Sequence, residues 1–156
     1  MRVLTGSIST YVFTMLHGRA LFLTLFRAPG LTQANTWQAV HGMIEGDEPA
    51  QAAARREMLE ETGLSAERFF KVDCVETFFS ELTDAVHLVP VFAAFVTGAP
   101  AASISAEHTA AEWCSLDDTM NRFQFRGQRD AVRTIAEAAK WWPDVTPALT
   151  ELIAAG

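Results

Sequence analysis

Apolar residues in the amino-terminal part of the chain follow the pattern of β-strands. Residues 7–16 and 20–27 are alternating or continuous apolar runs, and the His17-Gly18 pair between them indicates a tight turn. A further short strand is expected near Trp37, just before a loop that contains glycine. The chain is therefore predicted to begin with a β-hairpin followed by a shorter strand.

Two longer β-type segments are expected farther along the chain. Residues 69–79 and 86–96 are rich in β-branched and aromatic residues, and the polar stretch at 80–84 separates them. Small residues dominate 97–105, which indicates a loop, and residues 112–115 predict a last short strand. These segments supply the second part of a predicted sheet.

Other segments repeat their apolar residues at helical spacing. Residues 127–142 place apolar side chains on one helix face, residues 49–62 carry a narrower apolar stripe, and residues 143–154 are the candidate for a final helix. The pattern predicts an α/β (α+β) fold with a mixed β-sheet between helices. The length of the chain suits a single domain that spans residues 1–156.

The helix predicted at residues 49–62 has clear start and stop signals. Asp47 or Glu48 is placed to cap its first turn, and Pro49 suits the beginning of a helix. Gly63 suits the left-handed position just past the last turn. The apolar stripe consists mostly of alanine, so the helix can lie close to a sheet while its acidic side chains face outward.

Three glutamates crowd one edge of this helix. Glu57, Glu60 and Glu61 stand at i, i+3 and i+4, so on a helix that turns about 100° per residue they form one acidic patch. Like charges at this spacing destabilise a helix, and acids near its carboxyl end oppose the helix dipole. A solvated helix face is the plain alternative. Crowded carboxylates are also the ligands of hard cations such as Mg²⁺, so the patch predicts a metal site.

The residues around the patch carry a more specific pattern. From Gly42 to Leu64 the chain reads glycine, five residues, glutamate, seven residues, then Arg-Glu-apolar-x-Glu-Glu-x-Gly-apolar. This segment resembles the signature of the Nudix hydrolases, and a chance match in a chain of this length is on the order of 10⁻⁸ to 10⁻⁷. Every specified position is filled, by Gly42, Glu48, Arg56, Glu57, Met58, Glu60, Glu61, Gly63 and Leu64.

The resemblance implies a Nudix αβα sandwich that hydrolyses a nucleoside diphosphate linked to a further group. It also implies Mg²⁺ as the cofactor, with Mn²⁺ able to substitute. Glu57, Glu60 and Glu61 would be metal ligands and take part in catalysis. Arg56 would pair with Glu48 and hold the helix in register.

Two further metal ligands follow from the resemblance. The backbone carbonyl just before the signature glycine belongs to His41, and it commonly completes the metal site in this family. A later loop often supplies another acid. Glu107, six residues before Trp113, occupies the place of that acid, and Glu112 is the alternative.

Five residues are candidates for substrate binding. Arg27 ends an apolar strand where relatives often place an arginine near the phosphates, and His41 has an imidazole beside the signature loop. Phe125 and Gln128 lie at a predicted helix start, where free N–H groups favour anions. Trp37 and Phe125 are candidates to stack on a base or pterin ring. Other aromatic residues that either stack or fill the core are Phe78, Phe79 and Phe123.

The residues that lead into the signature narrow the reaction. Many relatives have Pro-Gly-Gly there, whereas this chain has Val40-His41-Gly42 after Trp37-Gln38. That lead-in resembles the branch that releases pyrophosphate from (deoxy)nucleoside triphosphates or from dihydroneopterin triphosphate, and a (deoxy)nucleoside triphosphate is the leading prediction. Dihydroneopterin triphosphate, dinucleoside polyphosphates and ADP-ribose are the alternative substrates. A non-catalytic Nudix-like module that senses nucleotides is the alternative of another class, and the complete set of acids argues against it.

Composition and charge bear on the partners of the protein. Apolar residues make up 49% of the chain and charged residues 20%, which is typical of a globular protein. A net charge of −7 argues against nucleic-acid polymers as partners. A small nucleotide or similar diphosphate remains compatible, because a metal ion can bridge it to the acids.

Cysteine content and hydropathy predict the compartment. Cys74 and Cys114 have no metal-binding spacing and are expected to be reduced thiols. No apolar stretch suits a secretion signal or a membrane span, so a cytoplasmic protein without a membrane partner is expected. Trp141 and Trp142 are expected either to dock on the domain or to form a homodimer contact.

Overall fold

Nine strands form one mixed sheet in the computed structural model, which describes residues 1–154. The strands are β1 (Arg2–Leu4), β2 (Ser7–Leu16), β3 (Arg19–Arg27), β4 (Trp37–Gln38), β5 (Val40–Met43), β6 (Arg68–Ser80), β7 (Ala85–Phe95), β8 (His108–Cys114) and β9 (Leu149–Glu151). The helices are α1 (Ala50–Thr62), α2 (Leu116–Arg122) and α3 (Arg126–Ala139). Within these 154 residues, no helix has the length and hydropathy needed to cross a lipid bilayer.

The middle of the sheet combines parallel and antiparallel pairs. β2 and β3 form the predicted hairpin, which His17 and Gly18 close with φ angles of 50° and 75°. β2 also runs parallel to β7 and antiparallel to β5, so the signature loop is attached to the central strand. β8 pairs with β3, and β6 connects β7 to β9. The predicted mixed sheet is confirmed.

The core lies on both faces of the sheet, because successive residues of a strand point to opposite sides. On one face, Val12 of β2 packs in a buried cluster with Ala54 and Met58 of α1. On the other face, Phe13 packs in a second cluster with Ile135 of α3. Helices therefore cover opposite faces of the sheet, and the predicted layered architecture is confirmed.

α1 spans almost the residues expected, but its amino-terminal cap differs from the prediction. Pro49, rather than Asp47 or Glu48, occupies the cap position, and no side chain caps the first turn. The carboxylate of Glu48 instead accepts a hydrogen bond from Arg56, which takes it away from the helix start. At the other end, Gly63 adopts a φ of 69° and forms the predicted left-handed cap.

The carboxyl-terminal segment contradicts the helix predicted for residues 143–154. It contains β9, which adds an antiparallel strand beside β6. Pro143 and Pro147 lack the backbone N–H that a helix needs, whereas the edge of β6 offers unpaired groups to an extended chain. Arg68 donates hydrogen bonds of 2.9 and 2.7 Å to the two carboxylate oxygens of Glu151, which fixes the added strand.

Two short elements were absent from the sequence prediction. β1 adds a parallel strand to β7, and α2 follows β8 with Ser115 as its cap, whose Oγ accepts the N–H of Asp118. β8 also covers seven residues rather than the predicted four at 112–115. Elements as short as β1 and α2 contain too few residues to show a clear hydrophobic period.

The tryptophan pair near the carboxyl end is divided between core and surface. Trp142 packs against Phe13 and Phe95, with ring centroids 5.7 and 4.3 Å apart, and the guanidinium of Arg68 lies 4.9 Å from the Trp142 ring. Trp141 is 75% exposed. Trp142 therefore docks on the domain, which is one of the two alternatives predicted for this segment, the other being a homodimer contact.

Candidate active site

The signature loop and α1 border a cleft with two adjoining halves. The first, the acidic half, has a volume of about 440 Å³. The second, the aromatic half, shares Gln33, Gln38 and His41 with it. The acidic half is lined by Arg27, Gly42, Glu57 and Glu107, and the aromatic half by Glu76, Phe78, Phe125 and Gln128.

Gly42 allows the side chain of Glu57 to enter the acidic half. A Cβ atom at position 42 would lie 2.1 Å from Cδ of Glu57 and 2.4 Å from its Oε1, so only glycine leaves room for this carboxylate. The Glu57 side chain is 13% exposed. Burial raises the pKa of Glu57, while the ion pair with Arg56 opposes that shift. The signature glycine thus serves the close approach of α1 to β5.

Arg56 ties α1 to the loop that precedes it. Its Nη2 lies 2.6 Å from Oε1 of Glu48 and donates to the backbone carbonyl of Met43 at 2.9 Å. Its Nη1 lies 2.8 Å from Oε1 of Glu57 and 3.3 Å from Oε2 of Glu60. The Arg56–Glu48 pair implied by the resemblance is present, and the same guanidinium offsets the charge of two crowded acids.

Glu61 departs from the expectation that all three acids face outward. It follows the buried Met58 by one helical turn, so its side chain lies against the sheet and is only 3% exposed. Neither of its carboxylate oxygens has a hydrogen-bond partner within residues 1–154. Burial, and then the charges of Glu107 and Glu57, raise the pKa of Glu61 to about 9, although the charge of Arg27 and the nearby backbone N–H of His41 oppose the shift. A carboxyl group in this position requires a proton or a cation.

Of the two candidates for the later acid, Glu107 lies in the cleft. Its Oε2 is 2.9 Å from Nη1 of Arg27, which also lines the acidic half. Glu112 lies outside the lining of the cleft, and its Oε2 is 2.5 Å from Nη2 of Arg122. The structure therefore brings Arg27 and Glu107 together with Glu57 in the lining of the acidic half. Their charges also act on the buried Glu61, whereas Glu60 and Glu61 lie outside that lining.

Within residues 1–154, no three His, Cys, Asp or Glu side chains are placed closely enough to hold one metal ion. Arg56 holds Glu57 and Glu60 in ion pairs, and Arg27 holds Glu107. The donor set nevertheless fits a hard divalent cation, since Glu61 offers two buried, unpartnered oxygens. Both ring nitrogens of His108, one of them 4.0 Å from Glu61, also lack partners among the described residues.

Glu76 is the buried acid of the aromatic half and is not among the site residues predicted from the sequence. It lies on β6 and is 8% exposed. Its Oε1 accepts a hydrogen bond from the Tyr11 hydroxyl, and its Oε2 lies 3.2 Å from Oγ of Ser9. Burial raises the pKa of Glu76, while these two donors oppose the shift. The available signal was an acid placed between Val75 and Thr77 in a strand segment.

Two aromatic side chains and an amide complete the aromatic half. Phe78 is 37% exposed, and its ring lies parallel to that of His87 with a centroid separation of 4.7 Å. Phe125 is 42% exposed and lines the same space. Oε1 of Gln128 is enclosed and has no hydrogen-bond partner among the described residues. Phe125 and Gln128, both predicted to bind substrate, thus line the cleft.

Trp37, also predicted to bind substrate, lies outside the lining of the cleft. Neighbouring residues of β4 point to opposite sides, and Gln38 is the one that lines the cleft. The Trp37 ring packs against Phe26 at a centroid distance of 5.0 Å, and the Arg122 guanidinium lies 4.0 Å from it. Phe123, another aromatic candidate, is buried in the core.

Solved structures share this arrangement of sheet and helices. The C. elegans Ap4A hydrolase superimposes with a TM-score of 0.71 over 88% of this chain and 96% of that protein, at 22% identity. The E. coli dihydroneopterin triphosphate pyrophosphohydrolase also gives a TM-score of 0.71, over 86% of this chain and 94% of that protein, at 21% identity. At these identities the likeness establishes the fold alone.

Sequence comparison adds a match at the level of a family and one partial relative. A family model described as NUDIX domain matches residues 8–135, which include every residue named above as lining the cleft. A curated octanoyltransferase of Myxococcus xanthus is 38% identical over 102 residues, or 62% of this chain. The match spans only 28% of that relative's length, so its name describes a much longer protein.

Proposed function

This chain belongs to the NUDIX family, whose hydrolases act on phosphoanhydride bonds, and from that premise we propose that it is a Mg²⁺-dependent (deoxy)nucleoside triphosphate pyrophosphohydrolase. The products are the nucleoside monophosphate and pyrophosphate. The observation that carries this proposal is the buried, unpartnered carboxylate of Glu61 in the electrostatic field of Glu57 and Glu107.

Electrostatics explain why this cleft requires a cation. The protein has a net charge of −7 and a triphosphate is a polyanion, so their direct approach is unfavourable. Bound Mg²⁺, held by Glu57, Glu60, Glu61, Glu107 and the His41 carbonyl, would neutralise phosphate charge and lower the pKa of water. Mn²⁺ suits the same oxygen ligands.

Arg27, which lines the acidic half, and Arg56, which pairs with Glu57, have different parts in this proposal. Arg27 is engaged by Glu107, and its guanidinium can exchange that carboxylate for a phosphate oxygen. The exchange frees Glu107 to act as a ligand or a proton acceptor. Arg56 is held by Glu48 and by a backbone carbonyl, so it positions Glu57 rather than the substrate.

Other substrates of the family belong in the same assay. Proteins named for Ap4A and for dihydroneopterin triphosphate share the fold, so diadenosine polyphosphates and dihydroneopterin triphosphate are tested beside ADP-ribose. A non-catalytic nucleotide sensor is the alternative of another class. It is disfavoured because every acid of the signature is retained, including the destabilising Glu61.

The proposal also covers the partners of the protein and its cellular compartment. A small nucleotide is its partner, and nucleic-acid polymers and membranes are not. Cys74 and Cys114 are both free, which supports a reducing compartment such as the cytoplasm. Trp141 is 75% exposed and is the residue through which a homodimer contact would form.

A substrate panel tests the proposed reaction. The protein is incubated with Mg²⁺ and nucleoside triphosphates, deoxynucleoside triphosphates, dihydroneopterin triphosphate, diadenosine polyphosphates or ADP-ribose, and pyrophosphate is separated from orthophosphate. We expect a triphosphate to be the best substrate and pyrophosphate to be its main product. Orthophosphate as the main product would overturn the proposed cleavage position, and the absence of turnover across the panel would favour the sensor.

Glu107→Gln and Glu112→Gln form a matched pair for the later acid. We expect a loss of about 10- to 100-fold in kcat for Glu107→Gln and no loss for Glu112→Gln, because only Glu107 lies in the cleft. Equal losses in the two variants would contradict this assignment.

A further inference from the structure

The aromatic half of the cleft carries groups that the cleavage reaction does not need. Resting on the proposed function, we propose that this half selects the ring of the substrate, a planar heterocycle with an amino group beside a ring N–H. Guanine and pterin share that edge. Glu76 accepts hydrogen bonds from the amino group and the ring N–H, and Phe78 and Phe125 contact the faces of the ring.

The free acceptor sites of Glu76 define the chemistry of this edge. An ionised carboxylate has roughly four lone-pair sites, two on each oxygen. The Tyr11 hydroxyl occupies one site on Oε1, and the Ser9 hydroxyl, at 3.2 Å, occupies one on Oε2. Each oxygen therefore keeps one acceptor site. Two adjacent acceptors match two adjacent N–H donors in the bidentate arrangement that carboxylates form with guanidinium groups.

Glu76 is also fixed in place, so it can select one ring over another. Tyr11 is buried, and its ring lies edge-on to that of Phe123 at 6.1 Å, so its hydroxyl is held beside the carboxylate. On the other side, a Cβ atom at Gly127 of α3 would lie 3.0 Å from Cγ of Glu76. A carboxylate confined in this way cannot turn to suit a different edge, so a wrong ring leaves a buried polar group unpaired.

The aromatic half has a volume of only about 60 Å³, so it suits the edge of a flat ring whose remainder lies toward the adjoining acidic half. Phe78 and Phe125 are partly exposed and line the space, and aromatic faces of this kind stack on heterocycles. The enclosed Oε1 of Gln128 is a further acceptor without a partner. Gln38 and His41 line both halves, so a single substrate can place its ring in one half and its phosphates in the other.

Two related rings lack part of the required edge. Hypoxanthine keeps the ring N–H of guanine but lacks the amino group. Adenine has an amino group, but the neighbouring ring nitrogen is an acceptor, which would face the carboxylate with a lone pair. The aromatic half is therefore expected to prefer guanine over hypoxanthine, and hypoxanthine over adenine.

Binding of nucleoside monophosphates to the metal-free protein tests this assignment. Titration calorimetry in chelator measures GMP, IMP, AMP and 7,8-dihydroneopterin on the wild type, on Glu76→Gln and on Glu81→Gln, an exposed control in the same hairpin. We expect the wild type to bind GMP or dihydroneopterin at least about 10-fold more tightly than IMP. Glu76→Gln should lose about 10- to 100-fold of that affinity, IMP should lose less because it offers only the ring N–H, AMP should change little, and Glu81→Gln should match the wild type.

The wild-type comparison of GMP with IMP needs no variant, so it decides the question even where Glu76→Gln fails to fold. Equal affinities for GMP, IMP and AMP, together with equal affinity for dihydroneopterin, would overturn the assignment. So would a Glu76→Gln variant that weakens all ligands alike. The source of the ring is identified by kcat/KM with Mg²⁺ for GTP and for dihydroneopterin triphosphate, which carry the same triphosphate group: a higher value for GTP identifies a guanine nucleotide, and a higher value for dihydroneopterin triphosphate identifies a pterin.

Failure of this inference can be told apart from failure of the proposed function. Hydrolysis of GTP, ITP and ATP with equal kcat/KM would leave the pyrophosphohydrolase standing and remove the ring assignment. Selective binding of GMP without hydrolysis of any triphosphate would leave the ring assignment standing and remove the proposed pyrophosphohydrolase activity.

Discussion

Glu107 in the acidic half and Glu76 in the aromatic half are held in opposite ways. The Glu107 side chain is 52% exposed, and Arg27 counters its charge at 2.9 Å. In the aromatic half, Glu76 is 8% exposed and is held by neutral hydroxyl groups. Exposed ion pairs are weak and exchange partners easily, whereas a buried acid with fixed neutral donors does not.

This difference assigns separate tasks to the two halves. Groups that can exchange partners suit a site that must accept a cation and phosphates and then release products. A fixed group suits the choice of one ring over another. Substitutions in the acidic half should therefore lower turnover for every substrate, whereas substitutions in the aromatic half should change KM or the ratio between substrates.

The largest effect is expected for Glu61→Gln, at the buried acid of α1 whose carboxyl feels the charges of Glu57 and Glu107 in the acidic half. Turnover with Mg²⁺ should fall on the order of 10³-fold for every substrate, because the variant loses a charged oxygen ligand. In chelator the variant should melt at a higher temperature than the wild type, because the buried carboxyl group costs stability when it ionises. Unchanged turnover would contradict the assignment of Glu61 as a ligand.

The pH dependence of that stability gain has a definite sign. The Glu61 carboxyl has an ordinary pKa of 4.5, and folding raises the pKa to about 9. Between these values the folded state holds a proton that the unfolded state has lost, so wild-type stability falls as pH rises. The melting temperature of Glu61→Gln should therefore exceed that of the wild type by more at pH 8 than at pH 5. A constant difference across this range would show that Glu61 is ionised in both states.

Gly42→Ala is expected to produce the next largest effect. The added methyl group would lie 2.1 Å from Cδ of Glu57, which is the flexible end of a side chain, so the fold should survive while the carboxylate moves. We expect about a 10²-fold loss of kcat, because catalysis is sensitive to displacements of about 1 Å. Gly6→Ala is the matched control, since its methyl group would meet only Met43 at an ordinary 3.7 Å. Equal activity in the two variants would show that Glu57 can act from another position.

The sequence was sufficient to predict the signature part of the acidic half, because those residues lie in one continuous segment, whereas Arg27 and Glu107 come from other elements. The positions of Glu57, Gly42 and Arg56 follow from that segment. The burial of Glu61 does not follow, because it depends on how closely α1 packs on the sheet. The choice between Glu107 and Glu112 also required the structure, since both acids lie within the same stretch of sequence.

The aromatic half could not be predicted in the same way, because separate elements supply its groups. Glu76 comes from β6, its hydroxyl donors from β2, and Gln128 from α3, and only the sheet topology brings them together. The strand β9 was missed for a similar reason, since the free edge of β6 rather than a local pattern selects its conformation. Local periodicity predicts elements, but it does not predict which distant elements meet.

Phe78→Ala should give a smaller effect than the changes in the acidic half. Loss of one stacking face is expected to raise KM for the preferred triphosphate about 10-fold with little change in kcat. Phe79→Ala removes the same group from the next position of β6, where the side chain is 53% exposed and lies outside the lining of the cleft. Steady-state kinetics should show KM of Phe79→Ala close to the wild-type value. Equal increases in both variants would indicate a general effect on β6 instead of stacking.

Gly127→Ala is expected to have the smallest effect, and it examines how firmly Glu76 is fixed. Alanine normally stabilises a helix relative to glycine by about 0.5 to 1 kcal/mol. Here the new methyl group would lie 3.0 Å from Cγ of Glu76, so that gain should be cancelled while the carboxylate tilts. We expect little change in melting temperature and about a two- to five-fold loss of the preference for GTP over ITP.

A double-mutant cycle shows whether Gly127→Ala acts through the carboxylate. In a Glu76→Gln background, Gly127→Ala should leave the GTP to ITP ratio of kcat/KM unchanged, because the group that the methyl displaces no longer reads the ring. The same loss of preference in both backgrounds would mean that α3 contributes to ring binding independently of Glu76. In that case the aromatic half would adapt to its ligand as the acidic half does, and the contrast between a fixed and an exchangeable carboxylate would no longer explain selectivity.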